Sequence, residues 1–338
     1  MRVCIGRSAS VKLGDIGIEP AILQCMKRVA ADVSPSEDRP LRLRLPRAAT
    51  KGRALSEHWD FGAPAKTIDA ALFALRGGSE DEATRARLRR AAVARLALDH
   101  FELAARLPTC VMALFPEHFG RLAKFLTEGP IGRYADRFYV KDVRYALGVT
   151  VPCGAMQMDL KSRIGPKLIL RDALSTGSLR AALAYAVSGG LGCWGNNHID
   201  LRAMKEFNLA GWTQSFVRMS EVLAANPEIR GIAGVSWFYD PVLARISPSL
   251  AHLHEIPMRH GAFLVKMTTT EDDIRNATIR SQMRRELYDK GEYQPARYLL
   301  AWPRAALLAW AKGTAPAPRR RDRFRQAARF VITAARNS

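Results

Sequence analysis

The 338 residues are 48% hydrophobic, enough for a substantial core in one large domain or two small ones. Lys and Arg number 52 against 32 Asp and Glu, and the net charge of +20 is dispersed along the chain; such a field attracts nucleic acid, anionic lipid, acidic carrier proteins and phosphorylated cofactors alike. The five cysteines are far apart and form no Cys-x-x-Cys pair, which argues against a disulfide framework or zinc ribbon, and no apolar segment reaches signal-peptide or bilayer-span length, so a soluble protein of the reducing cytoplasm is expected.

Residues 1–30 predict a strand and a short helix. Residues 31–66, rich in Pro, Arg, Ser and Gly, show no clear period. Within them Leu41-Arg42-Leu43-Arg44-Leu45 alternates as a basic edge strand would, and the rest reads as a mobile basic arm. Helical periodicity begins at Thr67 and breaks at Gly77-Gly78. Ser79 then resembles an N-cap ahead of Glu80, Asp81 and Glu82, and Leu88, Ala92, Leu96, Leu103 and Leu107 predict one long helix to Arg106. A short helix over His118–Leu126 ends at Gly129-Pro130 and closes a mainly helical N-terminal region, residues 1–130.

Tyr134–Thr150 and Val151–Leu160 contain β-branched and aromatic residues, with turn formers around Gly148 and Pro152–Gly154, and residues 171–188 read as a helix closed by Gly189-Gly190. Cys193–Asp200 is a predicted strand and Asn208 a predicted N-cap. Trp212, Phe216, Met219 and Leu223 follow at spacings of four, three and four, the stripe of an amphipathic helix on a sheet. Gly231–Phe238 is a compact apolar strand, Asp240-Pro241 opens a second helix or helical turn to about Leu253, and Ala262–Met267 is another strand. A charged helix over 271–290, a strand at Tyr298–Trp302 and a short helix over Ala305–Ala311 complete an α/β unit, residues 131–312. The expected fold class is α/β (α+β), a mixed central sheet flanked by helices with a helical N-terminal portion. The remainder, 313–338, is a basic tail carrying seven Arg against one Asp from Arg319 onward, with Phe324, Ala328, Val331 and Ala335 near one helical face.

His198-Ile199-Asp200 is the sharpest local signal. On a strand, residues i and i+2 share a face, so imidazole and carboxylate are expected side by side. That pair suits general acid–base work, a polar strand cap, or two ligands of a non-haem iron site completed by His252, His254 or His260. The strongly helical segment after Asp200 disfavours the iron oxygenase fold. Ser236-Trp237-Phe238-Tyr239-Asp240-Pro241, at the carboxyl end of a strand, reads either as a pocket mouth or as an aromatic plug with Asp240 as helix cap. Walker, Rossmann, Gly-x-Ser-x-Gly and His-Glu-x-x-His motifs are absent, and no nucleic-acid-binding motif is visible.

The order strand, loop, amphipathic helix, strand, helix, strand over Trp194–Met267 resembles the acyl-CoA-binding half of the GNAT acyltransferase superfamily. It is also similar to the acyl-carrier-protein-using relatives, the N-acyl amino acid and acyl-homoserine-lactone synthases. In that family pantetheine lies between two splayed parallel strands and its pyrophosphate sits on amides at the start of the intervening helix. The resemblance implies a donor thioester of CoA or acyl carrier protein and an amine or hydroxyl acceptor, with no metal. It makes Trp194–Asp200 and Gly231–Phe238 the splayed strands. Arg202, Lys205, Asn208, Ser236 and Trp237 become cofactor contacts, His198 or Asp200 the base, and Tyr239 the donor of a proton to the leaving thiolate. The family's glycine-rich signature is missing from the turn Lys205–Leu209, as it is in carrier-protein-dependent relatives. Acyl carrier protein and, through the basic tail, an anionic membrane are the implied partners. A basic protein that binds lipid or a partner without catalysis is the alternative outside enzymology.

Overall fold

The computed structural model describes residues 10–57, 60–75, 81–128, 136–190, 192–200 and 202–314. The expectations at Gly77-Gly78, Ser79, Gly129-Pro130 and the basic tail lie outside these residues.

Two short strands, β1 (Val11–Lys12) and β2 (Glu102–Leu103), pair antiparallel beside a helical layer. That layer comprises α1 (Pro20–Ala30), α2 (Pro35–Ser56), α3 (Ala63–Phe73), α4 (Glu82–His100), α5 (Thr109–Met112), α6 (Phe115–Glu128) and α7 (Asp136–Ala146). α2 replaces the expected edge strand. Ser34 and Glu37 form a capping box, and Leu41, Leu45, Ala48, Ala49 and Gly52 are buried while Leu43 is exposed. The Leu/Arg alternation misled because Leu41 and Leu45 are also four apart, the spacing of a helix face.

The core of this layer is α4, in which every residue from Ala91 to Ala97 is buried. Its two buried arginines are therefore paired. Arg89 reaches Asp69 at 2.5 Å and Asp136 at 2.6 Å, and Arg95 donates to Asp38 and, at 2.9 Å, to the Ala30 carbonyl. α4 stops at His100, short of the predicted Arg106, because Phe101 turns extended and leads into β2.

The main sheet contains β3 (Thr150–Pro152), β4 (Met156–Ser162), β5 (Cys193–Ile199), β6 (Ile229–Ser236), β7 (Phe263–Met267) and β8 (Arg297–Pro303). Their spatial order is β3-β4-β5-β6-β8-β7, with every neighbouring pair antiparallel except β5 and β6. α8 (Pro166–Thr176) and α9 (Leu179–Val187) fill the β4–β5 connection; Gly177, at φ 71°, divides the single helix expected there. α10 (Leu209–Ala225) makes the β5–β6 crossover, its predicted stripe of Trp212, Phe216, Met219 and Leu223 fully buried. After β6 come a 3-10 turn over Trp237–Tyr239, α11 (Leu243–Ile246) and α12 (His252–Arg259), where one helix or helical turn was expected. α13 (Glu271–Thr278) and α14 (Gln282–Asp289) replace the single charged helix, divided where Ser281 caps the second. α15 (Arg304–Thr314) follows β8.

The architecture is a mixed six-stranded sheet flanked by helices. Side-chain alternation along β5 separates its two faces. Gly195 lies on the α10 face, where an added Cβ would stand 2.8 Å from Ile232 and from Met158. Trp194 lies on the other, stacked at 5.3 Å on Tyr185 of α9. A single core joins the helical layer to the α10 face, running from Met26 and Phe115 through Met158, Phe216 and Ile232 to Trp302. Among the described residues no helix is long and apolar enough to cross a membrane.

Candidate functional site

The parallel strands β5 and β6 pair at Cys193↔Ile229, Gly195↔Ile232 and Asn196↔Ala233, and their pairing ends there. Both continue. β5 stays joined to β4 as far as Ile199↔Met156, and β6 to β8 as far as Ser236↔Tyr298. The middle of the sheet therefore opens into a V, with residues 197–199 on one limb and 234–236 on the other. Unpaired edge backbone of this kind is a ready hydrogen-bonding surface for an extended ligand.

One polar contact spans the V. Asn197 Nδ2 donates to Tyr239 Oη at 2.8 Å. Gly234 makes room for it: an added Cβ would fall 2.1 Å from Asn197 Oδ1 and 3.0 Å from Tyr239 Oη. Asn197 is 6% exposed, and its Oδ1 has no hydrogen-bond partner among the described residues. Burial pushes the Tyr239 phenol up to about 12, so it stays protonated at neutral pH; having accepted from Asn197, it keeps its own proton to give. Neither Asn197 nor Gly234 was singled out from sequence, since nothing local marks a contact across 42 residues.

On the opposite face His198 finds a carboxylate, but not the expected one. Its Nε2 is 2.8 Å from Asp159 Oδ2 on β4. Asp159 pairs with Asn196 in register, so its side chain shares the face of His198, one diagonal away. Burial opposes ionisation of Asp159. The Arg144 guanidinium at 2.9 Å, together with His198 and the Thr150 hydroxyl, outweighs it and holds the carboxyl well below its usual range. An ionised carboxylate only accepts, so Nε2 carries the imidazole proton and Nδ1 the lone pair. Burial lowers the His198 pKa against the opposing pull of Asp159, so the ring is neutral at pH 7 and its Nδ1 lone pair is free to accept a proton. Phe61 packs on the ring at 4.2 Å, and the side chain is 19% exposed.

Asp200 does not join His198. β5 ends at Ile199, the Asp200 amide turns back to the Ala155 carbonyl, and its carboxylate accepts from the Arg202 amide at 2.9 Å. It faces His118 at 3.8 Å and Arg121 at 3.6 Å inside the helical layer. Cross-strand packing has overridden the i, i+2 relation. Lys141, whose ammonium burial draws down to about 8, donates to the Ile199 carbonyl at the tip of the β5 limb.

The start of α10 lies by the carboxyl ends of both limbs: the crossover leaves from the end of β5, and Phe207, just before α10, packs on Phe238, just after β6, at 6.0 Å. Asn208 is the N-cap, its Oδ1 accepting from the Gly211 amide at 3.1 Å, and no acidic residue occupies the first turn. Gly211, missed in the sequence reading, is required: its Cβ would stand 1.9 Å from the Glu206 carbonyl oxygen of the preceding turn. Lys205 is exposed on that turn. Arg202 is not offered there, being bidentate to Asp142 at 2.6 and 2.7 Å and stacked over Phe125. Ser236 accepts the Phe238 amide, and Trp237 is buried between Phe238 and Arg284, so both serve the turn rather than the V. Asp240 accepts amides from Val242 and Ala296 and so ties the turn to the segment before β8; the N-cap of α11 is Val242, not Asp240 as expected.

An iron site needed His198, Asp200 and one of His252, His254 and His260 to converge. Among the described residues no group of three or more His, Cys, Asp or Glu side chains has that arrangement, and the single mixed sheet is not the double-stranded β-sheet fold of that class.

No family model and no curated protein matches the chain. Three solved structures show a low similarity. An acyltransferase in complex with CoA and 10C-teicoplanin has 12% identity and a TM-score of 0.40, over 86% of this chain and 93% of that one. An acyltransferase mutant in complex with octanoyl-CoA has 13% identity and a TM-score of 0.41, and an acyltransferase in complex with decanoyl-CoA and teicoplanin has 13% and 0.40, each over 86% of both chains. Likeness at this level carries no argument for this chain, and its chemistry rests on the V and the groups around it.

Proposed function

We propose that the protein is a GNAT-like acyltransferase moving an acyl group from a CoA or acyl-carrier-protein thioester to an amine or hydroxyl. The observation that carries this reading is the parting of the parallel strands after Asn196 and Ala233. An extended pantetheine arm can pair with the strand edges between these limbs, short of the Ile199 carbonyl that Lys141 occupies, as a peptide pairs with an open sheet edge. The start of α10, with Lys205 beside it, suits the anionic end of such a donor, and the net charge of +20 favours its approach.

Asn197 and Tyr239 flank the V on the α10 face and His198 on the other, so a thioester threaded through it meets both. His198 Nδ1 takes the acceptor's proton while the acceptor lone pair forms the new bond to the thioester carbonyl carbon. The carbon–sulfur bond breaks, and the departing thiolate takes its proton from Tyr239. Asp159 stabilises the imidazolium as it forms. Arg202, Ser236, Trp237 and Asp200 have no part in this assignment; Asn208 shapes the start of α10.

Mass-spectrometric transfer from acyl-CoA or acyl carrier protein to a panel of amines and alcohols tests the activity. Tyr239→Phe and His198→Ala should each slow transfer by about 10²- to 10⁴-fold with the fold intact. A folded His198→Ala enzyme with the wild-type rate would remove the base, and absence of transfer from every thioester would remove the function.

A further inference from the structure

The helix pair α8–α9 carries an unexplained apolar surface. Leu170 and Leu174 on α8, four apart, and Leu179, Leu183 and Val187 on α9, each four apart, point outward with 50% to 81% of their surface exposed. On the inner sides Ile169 and Tyr185 are buried in one cluster with Trp194, Val265 and Leu299, and Ala173 is buried too. The pair thus already has an inner apolar face for the sheet, and the outer leucines are a second one. Contiguous exposed stripes of this kind mark an interaction surface.

Charge says what it meets. Lys167 and Arg180 are exposed and have no ion-pair partner among the described residues. Arg171 is exposed beside them and touches Asp172, and Asp172, the one acidic residue of α8–α9, is itself buried. Arg230 lies against Gly189 and Gly192 at the end of α9. Leucines outward on two short helices, flanked by cations and by no exposed carboxylate of their own, fit the interfacial region of an anionic bilayer, where apolar side chains enter the headgroup boundary and Lys and Arg meet lipid phosphate.

We propose that α8–α9 docks the protein on anionic membrane through these five apolar residues. The pair covers the same face of the sheet as His198, so docking would turn that face of the V toward lipid. The proposal stands independently of acyl transfer, because it rests on the surface alone.

The test is co-sedimentation of the full chain with phosphatidylcholine vesicles, with and without about one-third phosphatidylglycerol. Wild type should bind the anionic vesicles. Leu174→Glu/Leu183→Glu should lower the partition coefficient at least ~10-fold, while Leu43→Glu, an exposed leucine on α2, should leave it unchanged. Far-UV circular dichroism checks the fold; if the double variant is misfolded, Lys167→Glu/Arg180→Glu replaces it and should weaken binding likewise. Wild-type binding by the folded variants would overturn the proposal, since other basic segments would then carry it. So would no vesicle binding by wild type, or a wild-type dimer that these substitutions dissociate without any vesicle binding.

Discussion

Asp159 joins the fold to the chemistry of the V, and substituting it separates the two. Asp159 and Arg144 are each 1% exposed and 2.9 Å apart, and Thr150 and His198 supply the other contacts. Asp159→Asn removes the charge opposite a buried guanidinium, and breaking such a pair from one side costs about 3–5 kcal/mol. Arg144→Met should cost a similar amount by stranding the carboxylate. The double variant should recover about 2 kcal/mol or more of the summed loss, since neither charge is then unpaired. Its stability would return without its activity, because His198 would still lack its partner. Asp159 favours the protonated imidazole, so its removal must lower the His198 pKa further. The carboxyl's own depressed pKa means that its stabilisation is present above the ordinary carboxylate range and fades as pH falls through the folded-state value. Urea unfolding followed by tryptophan fluorescence reads the stability, and proton NMR of the imidazole reads the titration. A loss below about 1 kcal/mol in Asp159→Asn, or a rise in the His198 pKa, would refute the assignment.

Gly234→Ala places a methyl 2.1 Å from Asn197 Oδ1, which must swing away and release Tyr239. Overpacking should cost about 1–3 kcal/mol, and turnover should fall about tenfold or more; an unchanged rate would show that the Asn197–Tyr239 contact is irrelevant to the V. His118→Phe tests the buried helical layer. Burial takes the His118 pKa from 6.5 to about 3, and the ring stacks on Tyr145 at 3.6 Å. The unfolded chain binds a proton near pH 6.5 that the folded one refuses until about 3, so stability falls as pH drops through that window, by about 1.4 kcal/mol per unit. Phenylalanine keeps the stack without the titration, and its urea midpoints should decline less over that range. Parallel declines would contradict the assignment.

Much of the α/β unit was legible. β5, β6 and α10 announce themselves through apolar runs and a four-three-four stripe, and Asn208 through its position ahead of that stripe. These signals are local, set by side-chain direction within one element. α2 shows how local signals fail: Leu41 and Leu45 fit both periods, and the helix prevailed because Ala48, Ala49 and Gly52 extend its buried face. At the site the sequence named His198 and Tyr239 but paired His198 with Asp200, its neighbour along the strand. The partner it has is 39 residues away.

Residue order alone determined that His198 sits on a strand followed by an amphipathic helix, and that the chain is strongly basic. Only the tertiary structure decided that β5 and β6 run parallel and part after Asn196, that Asp159 holds the imidazole, and that Asn197 and Tyr239 meet across Gly234. The reason is physical. Periodicity records which way a side chain points, whereas a partner across a sheet depends on strand order and register, which are set by the packing of the whole core.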